Sequence, residues 1–188
     1  MQVKEEGLEN HLKRIVLDSI VDLFGEETLR LISSYNLDLM ILERQKNEYY
    51  EVFLLSSELK DLWGDLENHF HKNPFSIGLY AGVIKRKKGQ ITFRIGLDLV
   101  EFLACHLNRN IVVINNHAST LFLYGRDIFL ESIVRIIPPI RDITVVMNER
   151  YEVLGLAKPL IDLERAERRG ENIIALKNIM DKGWYLRK

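Results

Sequence analysis

The chain has 188 residues, 47% of them hydrophobic, and a formal net charge of −1, which is the composition of an ordinary soluble globular protein. No apolar run approaches the roughly 20 residues that a membrane-spanning helix needs, and the acidic N-terminus does not resemble a secretory signal. The single cysteine, Cys105, excludes an internal disulfide, so we expect a reducing, cytoplasmic setting.

The first half of the chain alternates between helical and strand-like patterns. Apolar residues at helical spacing predict an amphipathic helix over residues 7–24 that ends at Gly25. The elements predicted after it are a short helix over 26–34, strands over 37–43 and 49–55, a helix from 57 to 69, strands over 75–85 and 91–95, and a helix from 96 to 107. This order predicts an α+β fold with antiparallel hairpins in an N-terminal domain of residues 1–107.

Short strands dominate the second half. Helical turns are predicted over residues 118–124 and stop at Gly125, which can adopt the backbone conformation that ends a helix. The predicted strands are 111–114, 129–137, 143–147, 153–157, 173–176 and 184–187. Turn signals separate them every 8–12 residues or so, a spacing typical of a small barrel. Residues 108–188 are therefore predicted to form a second, mostly β domain.

No pattern in the sequence indicates a reaction centre. The motifs of serine hydrolases, phosphate-binding loops and dinucleotide-binding folds are all absent. His69 and His71 lack the further ligands that a zinc site needs. Cys105 falls near the apolar face of its helix, where a buried structural thiol is expected. We therefore predict no enzymatic activity, no metal site and no cofactor.

Charge is distributed unevenly along the chain. Residues 107–188 contain 13 Lys and Arg against 10 Asp and Glu, whereas residues 1–106 contain 13 against 17. After Ile173 the basic residues are interleaved with Trp184 and Tyr185, a combination typical of proteins that bind single-stranded RNA. The basic run at 86–88 lies on a predicted hairpin loop and fits either a solubilising surface or a phosphate contact.

Two stretches share one design, in which bulky apolar residues adjoin a glycine and a basic side chain. They are Leu121–Arg126 and Asp181–Arg187. The strands predicted between them place both in one small barrel, which the second stretch is expected to close. Tyr124 to Arg126 would then lie where a base could be contacted.

The second half resembles a PUA domain, a compact RNA-binding pseudo-barrel. The residues that carry this resemblance are His117–Asp127, Val145–Asn148, Val153–Ala157 and Asp181–Arg187. Two earlier segments, Phe75–Gly82 and Phe93–Leu97, are similar to the end of the N-terminal domain of the nip-seven family. That family comprises PUA-containing ribosome biogenesis factors of archaea and eukaryotes.

The resemblance implies an antiparallel α/β domain followed by a PUA pseudo-barrel. It further implies a non-enzymatic RNA-binding role in large-subunit assembly and precursor ribosomal RNA processing. The implied partners are ribosomal precursor RNA and, through the N-terminal domain, other assembly proteins. Together with Arg126, the basic residues expected to bind RNA are Lys158, Arg168, Arg169, Lys177, Lys182 and Arg187.

Two alternative functions remain open from the sequence. The chain could be an accessory or targeting subunit of an RNA-modifying enzyme, because PUA domains often accompany such enzymes. It could also be a protein-interaction adaptor whose N-terminal domain docks partners, with the PUA fold serving as scaffold. A large exposed apolar patch on residues 1–105 would favour the adaptor.

Overall fold

The structure is a computed structural model that describes residues 2–45, 48–70, 75–166 and 172–187. The chain divides into two compact units, Met1–Phe102 and Leu103–Lys188. Both units combine helices with sheets, so the predicted α+β class is confirmed. Within the described ranges, no helix is both long enough and apolar enough to cross a membrane.

The first unit is a four-stranded antiparallel sheet with helices packed against it. Its elements are α1 (Gln2–Phe24), α2 (Glu27–Ser34), β1 (Leu37–Gln45), β2 (Tyr49–Ser56), α3 (Ser57–Phe70), β3 (Leu79–Lys87), β4 (Gln90–Ile95) and the start of α4 (Leu97–Leu107). The strands follow one another in chain order across the sheet. The predicted stripe of α1 is fully buried at Val16 and Ile20, which ties the helix to the core.

One strand of this unit starts later than predicted. Residues 75–78 leave the sheet, and β3 begins at Leu79. Arg44 pairs with Glu51 at 2.7 Å and donates a second hydrogen bond, of 2.8 Å, to the Phe75 carbonyl oxygen. This contact holds the backbone of Phe75 beside the sheet while 96% of the residue's surface stays exposed.

The second unit is a six-stranded sheet around its own hydrophobic core. Its elements are β5 (Ile111–Ile114), α5 (Asn116–Leu123), β6 (Ile128–Phe129), a 3-10 helix (Leu130–Ser132), β7 (Ile133–Ile137), β8 (Thr144–Met147), β9 (Val153–Pro159), β10 (Ile174–Asp181) and a second 3-10 helix (Lys182–Leu186). The strand order is β6-β10-β9-β8-β5-β7, and only the β5–β8 pair is parallel. Phe122 of α5 is fully buried in this core.

The predicted closing strand over residues 184–187 is wrong. Residues 182–186 form a 3-10 helix instead, and β10 extends to Asp181, well beyond the predicted limit of 176. Strand alternation therefore does not govern the aromatic residues that follow Gly183. The reason is tertiary, because this segment turns back onto the end of α5.

Two smaller expectations are also corrected. Cys105 is exposed, because the buried face of α4 is formed by its neighbours Leu99, Val100, Leu103 and Ala104. The single strand predicted over residues 129–137 is interrupted by the 3-10 turn at 130–132, where Leu130 enters the core.

Candidate nucleic-acid interface

The two glycine-containing stretches that the sequence singles out meet in the structure. A Cβ atom on Gly183 would overlap the carbonyl oxygen of Leu123, so only glycine permits this close approach. The guanidinium of Arg187 donates a hydrogen bond to the same carbonyl oxygen. The C-terminal 3-10 helix is thereby seated on the last residue of α5.

Arg187 is held by a buried carboxylate. Its Nη1 and Nη2 atoms lie 2.9 and 2.8 Å from Oδ1 and Oδ2 of Asp181, a residue that is only 3% exposed. Such two-pronged pairs are among the strongest hydrogen-bonded contacts in proteins. The hydrogen bond to Asp181 raises the pKa of Arg187 above its ordinary value, so the guanidinium stays charged. Its contacts give Arg187 a structural role that the sequence-based assignment to RNA does not include.

The loop after α5 is fixed to β10 by Asn178. The Asn178 backbone N–H donates to Asp127 Oδ1 at 2.8 Å, and its side-chain Nδ2 donates to the Phe122 carbonyl oxygen at 2.9 Å. Asn178 lies at a register shift of β10, and such bulges re-aim side chains. It is a positioning residue that sequence reasoning missed; an asparagine inside an apolar strand was the available signal.

Two exposed aromatic residues flank the junction between the stretches. Tyr124 follows Leu123 and is 68% exposed, and Trp184 follows Gly183 and is 56% exposed. Exposed aromatic rings stack on nucleic-acid bases with about 1–3 kcal/mol per base. The side chain of Tyr185 lies outside the described part of the structure.

Lys158 and Lys177 are brought together by the sheet. They are register partners on β9 and β10, so their side chains leave the same face, and both are exposed. Like charges directly opposite each other destabilise a sheet unless an anion joins them. Lys177 also immediately precedes Asn178, the residue that anchors the Tyr124–Asp127 loop.

The other basic residues predicted to bind RNA do not form such a register pair. Arg126 is an exposed residue of the anchored loop, and Lys182 is exposed at the start of the C-terminal 3-10 helix. Arg168 and Arg169 lie outside the described residues, as do His71 and the side chain of His69. Over the ranges that the structure describes, no three His, Cys, Asp or Glu residues gather closely enough to hold a metal ion.

A shallow cavity of about 390 Å³ lies where β9 ends. Lys158 and Arg141 line it together with Asp142, Asp162 and Glu164. Glu164 accepts a 2.7 Å hydrogen bond from the Ile140 backbone N–H, so this acid serves the loop structure. The mixed charge of the cavity wall does not select an anionic ligand.

Comparison with known proteins identifies the second unit. A family model described as the UPF0113 PUA domain matches residues 110–188. A UPF0113 protein of Archaeoglobus fulgidus is 32% identical over 150 residues, which span 79% of this chain and 78% of the relative.

A solved structure shares the fold of the chain, and a second one aligns with a lower score. A hypothetical protein from Pyrococcus horikoshii OT3 aligns with a TM-score of 0.53 at 20% identity and covers 93% of each chain. A conserved PUA-domain protein from Thermoplasma acidophilum aligns with a TM-score of 0.42 at 20% identity, over 69% of this chain and 91% of its own. The predicted PUA pseudo-barrel is thus confirmed, and the chain belongs to the UPF0113 family of PUA-domain proteins.

Proposed function

We propose that this protein is a non-enzymatic RNA-binding factor that acts in large-subunit biogenesis and precursor ribosomal RNA processing. PUA domains generally bind RNA, and membership of a PUA-domain family supports that part of the proposal. The ribosomal role rests on the resemblance of Phe75–Gly82 and Phe93–Leu97 to the nip-seven family. Other assembly proteins would dock on the N-terminal unit, where Phe75 is 96% exposed.

The cross-strand pair Lys158–Lys177 is the observation that carries RNA binding. Neither lysine forms an ion pair with any residue that the structure describes, and each is the direct register partner of the other. Two lysines at register-partner positions, neither in an ion pair with a described residue, attract a phosphodiester, whose charge relieves their repulsion. Asn178, the residue after Lys177, hydrogen-bonds to the Phe122 carbonyl oxygen and to Asp127. The loop between these two contacts contains Tyr124 and Arg126, so it offers an aromatic face close to the lysine pair.

The test is binding of single-stranded RNA drawn from the large-subunit precursor, followed by fluorescence anisotropy at several salt concentrations. The double variant Lys158→Gln/Lys177→Gln should bind roughly tenfold more weakly at about 0.1 M salt. The slope of log K against log salt should fall by about 1.4, since each lost phosphate contact on a single strand contributes about 0.7.

A matched control keeps the charge change and moves it elsewhere in the same unit. Arg135→Gln/Arg150→Gln removes two exposed positive charges on β7 and the turn after β8, and Arg135 otherwise only donates to the Tyr151 hydroxyl at 2.9 Å. This control should bind RNA as the unmodified protein does. Equal affinity of the lysine double variant and the unmodified protein would show that the wrong surface has been chosen.

A further inference from the structure

We propose that the tip of the β3–β4 hairpin, in the N-terminal unit, is a second contact for the RNA phosphate backbone. The contact is made by the basic hairpin, Lys85–Lys88, and lies outside the PUA domain. It rests on the proposed RNA binding and extends that function to the first unit. The contact contributes affinity and salt dependence but no sequence preference, because phosphate contacts carry no sequence information.

The hairpin extends beyond its neighbouring strand. On β2 the register ends with Tyr49 opposite Lys85, and the Arg86 N–H donates to the Glu48 carbonyl oxygen at 2.8 Å. Beyond that point β3 and β4 continue to pair with each other, up to the turn at Lys88 and Gly89. The three cations of residues 86–88 thus lie beyond the last register pair of β2 and β3, and all of them are exposed.

The basic hairpin has no acidic register partner on β4. The register partners of Lys85, Arg86 and Lys87 on β4 are the uncharged residues Thr92, Ile91 and Gln90. No ion pair joins any of the four cations to a residue that the structure describes. Cross-strand ion pairs with β4 therefore do not offset the positive field of the basic hairpin, and such a field suits a polyanion.

Arg44 shows the structural alternative in the same sheet. It pairs with Glu51 at 2.7 Å and is half-buried, as expected for a cation that serves the fold. Glu48, whose backbone carbonyl oxygen accepts from the Arg86 N–H, uses its carboxylate to accept a 3.2 Å hydrogen bond from the Gln45 amide. The basic hairpin consequently keeps four adjacent positive charges, a field that attracts a polyanion.

Lys85 is additionally positioned by an aromatic ring. Its Nζ lies 5.8 Å from the centroid of the Tyr49 ring, within cation–π range. The tip itself offers only Lys88, Gly89 and Gln90, without an apolar side chain to insert into lipid. Binding to a membrane surface relies on apolar anchors in addition to charge, so the chemistry favours RNA phosphate over a lipid headgroup.

The test uses the full chain and the same single-stranded RNA. The triple variant Arg86→Gln/Lys87→Gln/Lys88→Gln should lower the salt slope of binding by about 2 and weaken affinity roughly tenfold to a hundredfold at about 0.1 M salt. Its thermal unfolding should match that of the unmodified protein, because all three side chains are exposed. The control Lys13→Gln/Arg14→Gln/Arg30→Gln removes the same charge from α1 and α2 and should leave the slope unchanged.

The outcomes separate this inference from the proposed PUA site. An unchanged slope in the hairpin variant, with binding lost in Lys158→Gln/Lys177→Gln, overturns the inference and leaves the PUA site standing. A reduced slope in the hairpin variant, with no effect of the lysine pair, supports the inference and removes the PUA site. Equal losses of RNA affinity in the hairpin variant and its charge control overturn the inference. It is also overturned if the hairpin variant no longer binds phosphatidylserine vesicles, which the unmodified protein binds, but still binds RNA as the unmodified protein does.

Discussion

Gly183 and Arg187 act on one atom, the carbonyl oxygen of Leu123. Leu123 is the last residue of α5, and the final carbonyls of a helix lack intrahelical donors. The Arg187 guanidinium supplies a donor there, and its positive charge also suits the negative end of the helix dipole. Gly183 supplies the space, because a side chain at this position would collide with the carbonyl. The junction therefore combines a helix cap with a close backbone contact.

The variant Gly183→Ala should destabilise the protein by about 1–3 kcal/mol, the usual cost of forcing extra atoms into a packed site. Urea denaturation followed by circular dichroism measures this change. The matched control is Gly64→Ala in α3, where a Cβ atom would meet nothing within 4 Å. That substitution should stabilise the protein by about 0.5–1 kcal/mol, because alanine favours a helix. Equal stability of Gly183→Ala and the unmodified protein would refute the close contact.

A surface ion pair in the first unit gives a pH-dependent prediction. The hydrogen bond from Lys60 lowers the pKa of Asp38, with the charge of Lys13 and the Leu39 backbone N–H adding to the effect against partial burial. Lys60→Gln should therefore raise the pKa of Asp38 towards its ordinary value of 3.8. Nuclear magnetic resonance titration of the Asp38 carboxyl carbon measures the shift, and Lys13→Gln should cause a smaller one.

The sign of the stability change follows from these directions. The ionised Asp38 carboxylate stabilises the fold at pH values above its ordinary pKa, and this stabilisation is lost as the pH falls through the lowered pKa. The pKa of Lys60 is raised, so the stabilisation from the pair is lost at alkaline pH, as the pH rises through that raised pKa. Because the Asp38 and Lys60 side chains are 42% and 56% exposed, the pair contributes less than about 1 kcal/mol. An Asp38 pKa that is identical in Lys60→Gln would contradict the assignment.

At the scale of elements, periodic patterns were predictable and tertiary contacts were not. The stripe of α1 follows from helical spacing, and the hairpins β1–β2 and β3–β4 follow from apolar runs that short polar turns separate. The residues after Gly183 form a short run of bulky side chains that predicts a strand, yet they form a 3-10 helix. What decides their conformation is the end of α5, some 60 residues earlier in the chain, and local periodicity carries no record of that contact.

Two asparagines show the same limit on site prediction. Buried Asn110 donates through Nδ2 to the Ile143 carbonyl oxygen at 2.7 Å, and its Oδ1 accepts from the Arg141 backbone N–H at 3.0 Å. Asn178 bridges β10 to the Tyr124–Asp127 loop in a comparable way. Side-chain bonds to distant backbone satisfy groups that no helix or strand pairs, and the sequence does not reveal which distant group is the partner. The basic and aromatic residues of the candidate interface were visible in the sequence, whereas the contacts that position them were not.

At the scale of the whole molecule, charge averaged over each half is a blunt guide. The first 106 residues carry 13 basic against 17 acidic side chains, and this excess of acid directs attention to the second half. The first half nevertheless contains four consecutive cations, Lys85–Lys88, at one hairpin end. Polyanions respond to local fields within about 10 Å at moderate salt, so a concentrated patch outweighs a distant acidic excess.

The two-unit division gives a final prediction about residues 103–188 expressed alone. This unit has its own six-stranded sheet and hydrophobic core, so it should fold and unfold cooperatively, as followed by circular dichroism during heating. It should also bind the single-stranded RNA probe, since Lys158, Lys177, Tyr124 and Arg126 all belong to it. Without the four cations of the basic hairpin, its salt slope should be smaller than that of the full chain by about 3.

The double variant Lys158→Gln/Lys177→Gln within the isolated unit provides the control. It should reduce RNA binding further while leaving the melting curve unchanged, because both lysines are exposed. A folded unit that binds RNA with the slope of the full chain would show that the hairpin makes no phosphate contact. A folded unit without RNA affinity would place binding in the first unit and contradict the PUA proposal. Separating the units therefore measures each contribution by itself, because a difference in salt slope counts the phosphate contacts that each unit makes.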